Sequence, residues 1–175
     1  MLSRLRERSV PRHRKPKSVA DATEVVELFA HTGLTVAVAE SLTGGLLCAA
    51  LTEVPGASHV VRGGVTAYST DAKHDVLGVP LAVLDNSGAV SAETAAAMAD
   101  RVREMFGADI GVSTTGVAGP DIQEGKPVGM VFIGLVGPDA AVVNEYSFSG
   151  SRAQIREQTL ETAWGLLLEA VTQTD

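Results

Sequence analysis

Aromatic residues make up only 4% of the 175 residues, there is a single cysteine, and no apolar run approaches the roughly 20 residues needed to cross a bilayer. Cys48 alone cannot close an intramolecular disulfide, and no Cys/His spacing resembles a zinc site, so a disulfide scaffold and a metal centre are both unexpected. A reducing, cytoplasmic setting without membrane contact is the default expectation. The N-terminal stretch MLSRLRERSVPRHRKPK carries charge, but no apolar segment follows it, so it does not read as a secretory signal. With few rings to fill a core, packing falls to Ala, Val and the close approach that 18 glycines allow. Such a composition favours tightly packed α/β layers.

Basic charge is also scarce outside the N-terminus. Residues 1–18 hold seven of the 14 Lys and Arg and one of the 21 Asp and Glu, a local net charge of +6 against −13 for the remainder. An acidic body is a poor electrostatic match for a nucleic-acid backbone, so nucleic acid is not an expected partner and any phosphate must be held locally. The basic segment, with Pro11 and Pro16, reads as a disordered tail, alternatively as sequence from an upstream start, and least readily as a nucleic-acid arm. The hydrophobic content of 45% and charged content of 20% describe a globular chain, and residues 19–175 suit one domain.

Apolar Val19, Val25, Leu28 and Phe29 fall near helical spacing over residues 19–31, with Gly33 as a stop. A β-branched run over 34–40 then meets the turn SLTGG, after which LLCAALTEV reads as a helix. Beyond Pro55-Gly56, VVRGGVTAYS predicts a strand whose glycine pair marks a bulge or a close backbone approach, and DAKHDVLG predicts a short helix. Ser91 opens an Ala-rich helix with Ala95, Met98, Ala99 and Val102 on one face. DIGVSTTGVAGP predicts a strand entering a second glycine-containing turn, and VGMVFIGLVG and AAVVNEYSF predict a hairpin. A last helix presents Ile155, Leu160, Ala163, Trp164, Leu167 and Val171 together. Helices alternating with at least five strands imply a mixed sheet covered on both faces, with ligands at loops beyond the strand ends.

Two of those loops carry candidate chemistry. In Glu40-Ser41-Leu42-Thr43-Gly44-Gly45, backbone N–H groups could converge on an anion at a helix N-terminus, or the segment is an ordinary capped turn. Thr114-Thr115-Gly116-Val117-Ala118-Gly119-Pro120 comes close to a P-loop, but five residues separate Gly119 from Gly125 and Pro127 stands where Ser or Thr would hold magnesium. A third region pairs Ser58 with Tyr68 and Lys73. A serine nucleophile needs a base, and lysine serves only if desolvation lowers its pKa; the plain alternative is an exposed lysine on a short helix. Arg152 and Arg156 open the last helix as a bidentate clamp for phosphate or carboxylate, or as a solvated face.

In order along the chain, AESLTGG, GGVTAYSTDAK, LGVP, GAVSAETAAAMA, TTGVAGP, KPVG and FSGSRAQIR form a series that resembles the C-terminal domain of the CinA (competence-damage-inducible) family over residues 19–172. The resemblance implies a three-layer α/β/α sandwich with a mixed sheet, a homodimer, and a cofactor-free, metal-independent deamidation of nicotinamide mononucleotide (NMN) to nicotinate mononucleotide and ammonia. It places the nucleophile on Ser58 with Tyr68 and Lys73 as activators. It places the substrate on Ser41, Thr43, Gly44 and Gly45 of the first loop, on Thr115, Gly116, Ala118 and Gly119 of the second, and on Arg152 near the phosphate. The chain departs from the family pattern at Leu42, Ser87, Asp121-Ile122-Gln123 and Ser151, all near the expected ligand loops. The competing expectation is a non-catalytic nucleotide-binding or protein-interaction module of the same fold.

Overall fold

The computed structural model describes residues 21–138 and 140–172. The expected tail over 1–18, the start of the first helix at Val19 and Asp139 of the hairpin turn lie outside the described residues.

Helix α1 (Ala22–Thr32) begins at Asp21, whose carboxylate accepts the N–H groups of Thr23 and Glu24, and ends at Gly33. There follow β1 (Val36–Glu40), α2 (Leu46–Glu53), a 3-10 turn (Ala57–His59), β2 (Val61–Thr66), α3 (Thr70–Asp75), α4 (Leu81–Ser87) and α5 (Ala92–Phe106). The chain continues through β3 (Ile110–Gly116), β4 (Met130–Val136), β5 (Ala141–Ser147) and α6 (Arg152–Thr172). The five strands form one mixed sheet in the order β2-β1-β3-β4-β5, with β1 parallel to β2 and β3, and β4 antiparallel to both neighbours. The hairpin of β4 and β5 is as expected.

Alternation along β1 sorts the core into layers. Val36 and Val38 pack with Val25 and Phe29 of α1, Leu47 and Leu51 of α2, and Ile155, Trp164 and Leu167 of α6. Ala37 and Ala39 face the other way, against Met98 and Val102 of α5, Leu77 and Leu84. The second face is lined by very small residues, which lets α5 lie close to the sheet. A Cβ on Gly111 would overlap the Ala99 carbonyl oxygen, one on Gly134 would come within 2.7 Å of the Ala95 carbonyl, and the Ser113 hydroxyl donates to Ala95 O at 2.6 Å.

Three details differ from or sharpen the sequence expectation. The glycine pair of β2 marks a bulge and a close approach together: register slips between Val36 and Ala37, and a Cβ on Gly64 would stand 2.6 Å from Val38 Cγ2. Helix α4 was not expected; it begins at Pro80, buries only Leu84 and exposes Leu81, so it has no apolar stripe to read. On α6 the buried face takes Thr159, not the expected Leu160, which is half-buried. Burial of Thr159 is tolerated because its hydroxyl donates to Ile155 O at 2.7 Å.

The tight α5 contact predicts opposite outcomes for two glycine substitutions. Gly111→Ala should destabilise the protein by about 2–3 kcal/mol through backbone overlap, whereas Gly165→Ala, on α6 with open space around it, should stabilise by about 0.5–1 kcal/mol. Urea unfolding of the two variants checks both signs.

Candidate active site

Because β1, β2 and β3 are parallel, their C-terminal ends share one edge of the sheet. The loops that leave that edge, residues 41–45, 67–69 and 117–120, are therefore neighbours in space although up to 79 residues separate them in sequence.

Lys73 is the central side chain. It lies on α3, 1% exposed, and its Nζ donates to Ser41 Oγ and to the Ala67 carbonyl, both at 3.0 Å. Ser69 caps α3 by accepting the Ala72 N–H, which sets the lysine one turn into the helix and aims it back at the first loop. Burial lowers the Lys73 pKa to about 8, and the carboxylate of Glu124 offsets part of that drop. At pH 7 roughly a tenth of the amine is thus free of its proton, far more than for an ordinary lysine, and it lies within reach of a serine hydroxyl. Cys48, the one thiol, is pushed the other way by burial and by the Glu40 carboxylate, which keeps it protonated.

The first loop is held from two sides. Glu40 ends β1 fully buried, and its carboxylate accepts the N–H groups of Gly45, Leu47 and Cys48 at 3.0, 3.0 and 2.8 Å. That carboxylate does for α2 what an N-cap side chain normally does; the cap position itself is Gly45, at φ 98, which has no side chain to offer. From the other side Arg156 of α6 donates through Nε to Leu42 O at 3.0 Å and through Nη2 to Thr43 O at 2.8 Å. Ser41 N–H donates to Thr114 O, Gly44 N–H to Ser41 O and Leu46 N–H to Thr43 O. Between residues 41 and 48, the N–H groups of Leu42 and Thr43 are the two with no acceptor among the described residues.

Ser41 and Leu42 open onto a cleft of about 100 Å³ whose other walls are Tyr68, residues 116–119, Asp121, Gln123 and Arg152. Arg152 bridges its mouth, with Nη1 on Gly119 O at 2.7 Å and Nη2 on the Tyr68 hydroxyl at 2.6 Å. Glu124 anchors the neighbouring 123–126 hairpin by accepting the N–H groups of Ala89 and Val90.

The structure brings some of the expected residues together and sets others apart. Ser58 is exposed on the 3-10 turn that precedes β2, so the length of that strand, about 20 Å, separates it from the edge where Lys73 and Tyr68 stand. The serine that Lys73 holds is Ser41. The expected anion cradle at Gly44 and Gly45 is already filled: their N–H groups serve Ser41 O and the Glu40 carboxylate. The Thr43 hydroxyl is buried against Thr114 Oγ1 at 2.8 Å, and Thr115 points to the α5 face, donating to Ala89 O at 2.6 Å. Gly116, Ala118, Gly119 and Arg152 do line the cleft, as does Tyr68, whose hydroxyl meets Arg152 and neither Ser41 nor Lys73. Arg156 is committed to backbone carbonyls and is not available as a ligand clamp. What brings Ser41 and not Ser58 to Lys73 is topological, since Ser41 directly follows the C-terminal end of β1 whereas Ser58 precedes β2.

Among the described residues no group of three or more His, Cys, Asp or Glu side chains could hold a metal, and no helix is long and apolar enough to cross a membrane. The family model for the CinA C-terminal domain matches residues 19–171. A putative competence-damage inducible protein of Desulforamulus reducens is 50% identical over 139 residues, covering 79% of this chain and 34% of that protein. A CinA-like protein of Frankia casuarinae is 50% identical over 143 residues, covering 82% and 33%. This chain thus spans about a third of the length of those relatives. The crystal structure of competence/damage inducible protein CihA from Agrobacterium tumefaciens superposes with a TM-score of 0.82 at 38% identity, covering 86% of this chain and 93% of that one. A competence or damage-inducible protein from Enterobacter asburiae gives 0.84 at 28%, covering 89% and 99%. With a family model spanning nearly the whole of the described fold and solved structures that share its layers, this chain belongs to the CinA C-terminal domain family.

Proposed function

We propose that the chain is a metal-independent amidohydrolase that removes ammonia from the carboxamide of NMN, with Ser41 as nucleophile and Lys73 as its base. The observation that carries this reading is the buried Lys73–Ser41 hydrogen bond at the floor of the cleft, with the lysine pKa lowered to about 8. In the acylation step Ser41 Oγ attacks the carboxamide carbon while Lys73 takes its proton. The carbonyl electrons move onto oxygen, where the unpartnered N–H groups of Leu42 and Thr43 are the candidate donors. Collapse breaks the C–N bond, the Lys73 ammonium returns the proton to nitrogen, and ammonia leaves. Water then attacks the ester with Lys73 again as base, releasing the acid and restoring Ser41.

A cleft of about 100 Å³ suits the planar carboxamide end of such a substrate, with the sugar and phosphate directed to its mouth. There Arg152 supplies a planar donor fork for the phosphate. In taking it, Arg152 would release Tyr68, whose hydroxyl is then free to assist proton movement. This assignment keeps Tyr68 and Lys73 in the machinery and moves the nucleophile from Ser58 to Ser41.

With NMN as substrate and ammonia release as readout, Ser41→Ala should lose at least about a thousandfold in kcat while Ser58→Ala stays near the parent rate. Retained activity in Ser41→Ala would overturn the nucleophile. Silence of the parent protein on NMN would overturn the substrate, and binding of NMN without turnover would point to a nucleotide-binding module instead. The Lys73 pKa sets a second test: because the neutral amine is the active form, kcat/KM should rise with pH along a limb centred near 8 and level off above it. A flat profile from pH 6 to 9 would remove Lys73 as the base.

A further inference from the structure

We propose that Arg156 is a positioning residue that holds the Leu42–Thr43 peptide in the orientation needed to receive the developing oxyanion, a role that rests on the reading of Ser41 as nucleophile. A trans peptide is planar, with its C=O and N–H pointing opposite ways. By donating to Leu42 O, the guanidinium fixes the plane of the peptide whose N–H is that of Thr43, one of the two unpartnered N–H groups beside Ser41. By donating to Thr43 O it fixes the next peptide too, whose N–H is held by Ser41 O. Two consecutive peptides are thus pinned by one rigid fork, and the remaining N–H is aimed away from it. The fork itself is firmly mounted, because Arg156 lies between Ile155 and Thr159, both fully buried on α6.

The other contacts of this segment hold its side chains and flanks, the Thr43 hydroxyl at Thr114 Oγ1, Leu42 in the core and the Ser41 N–H on Thr114 O, whereas Arg156 is the side chain that grips the Leu42 carbonyl. Glu40 secures the N–H groups of Gly45, Leu47 and Cys48, and none of its contacts reaches back to the Leu42–Thr43 peptide. A lysine at position 156 could reach one carbonyl but could not present two coplanar donors.

The test uses the full chain and a fluorophosphonate probe. Ser41 Oγ attacks phosphorus, the P–F bond breaks, fluoride leaves, and the Oγ proton passes to Lys73. This reaction reports the nucleophile and its oxyanion donors without any assumption about substrate. Arg156→Ala and Arg156→Lys should both label roughly tenfold or more slowly than the parent, and ethylguanidinium should restore Arg156→Ala but not Arg156→Lys. NMN affinity, measured in a Ser41→Ala background, should change by less than about twofold on adding Arg156→Lys, since the guanidinium touches no ligand surface. Labelling at the parent rate in either variant overturns the proposal. So does slow labelling with no rescue and a lost circular dichroism signal in both variants, which would make Arg156 a structural clamp. If Arg156→Ala alone fails to fold, Arg156→Lys decides by the same criteria. An unlabelled Ser41 in the parent overturns the nucleophile and this proposal together, whereas labelled, Arg156-dependent Ser41 without NMN hydrolysis overturns only the substrate.

Discussion

A carboxylate buried at the end of β1 organises the site. Glu40 is removed from water, which is costly for a charge, and the cost is offset by three backbone N–H donors at the start of α2 and by the favourable end of the helix dipole. In consequence the N–H groups of Gly44 and Gly45 are taken up inside the turn, and those of Leu42 and Thr43 are left without an acceptor among the described residues. The turn bends the chain sharply enough to lift Ser41 toward the neighbouring strand's loop while α2 packs Leu47 and Leu51 into the core. The Lys73–Ser41 contact and the grip of Arg156 are both built on that turn.

Charge burial recurs across the cleft with opposite sign. Lys73 is as deeply buried as Glu40, yet it has one hydroxyl and one carbonyl where Glu40 has three N–H groups. The poorer solvation of the ammonium is the reason its pKa falls to about 8. One buried charge is met by three donors, while the other has two partners and a lowered pKa. The two lie at or beyond the C-terminal ends of adjacent parallel strands, so one topology places both.

Much of this was legible in the chain. The strand, turn and helix over 34–53, the Ala-rich α5 and the β4–β5 hairpin follow from periodicity and turn residues, and the scarcity of aromatics foretold how closely α5 meets the sheet over Gly111, Ser113 and Gly134. Tyr68, Arg152 and the loop at 116–119, all legible as candidates, do line one cleft, and Lys73 reaches its wall through Ser41. Ser58 was not separable from Ser41 on residue types alone. Both serines lie in glycine-containing turns, and Ser58 is nearer to Lys73 in sequence, but β2 runs between them and carries Ser58 to the far edge.

Local patterning in the amino-acid order settles where strands and helices begin, which faces are apolar and which turns need glycine, because those depend on neighbours a few residues apart. The pairing of Ser41 with Lys73 across 32 residues, the burial of Glu40 beneath α2 and the grip of Arg156 on a loop 113 residues away depend on strand order and parallel register. Those choices are made by the packing of the whole sheet, where small residues admit α5 and crossover connections bring three strand ends together. Folding therefore decides which serine meets Lys73, and the burial that comes with it lowers the pKa of that lysine to about 8.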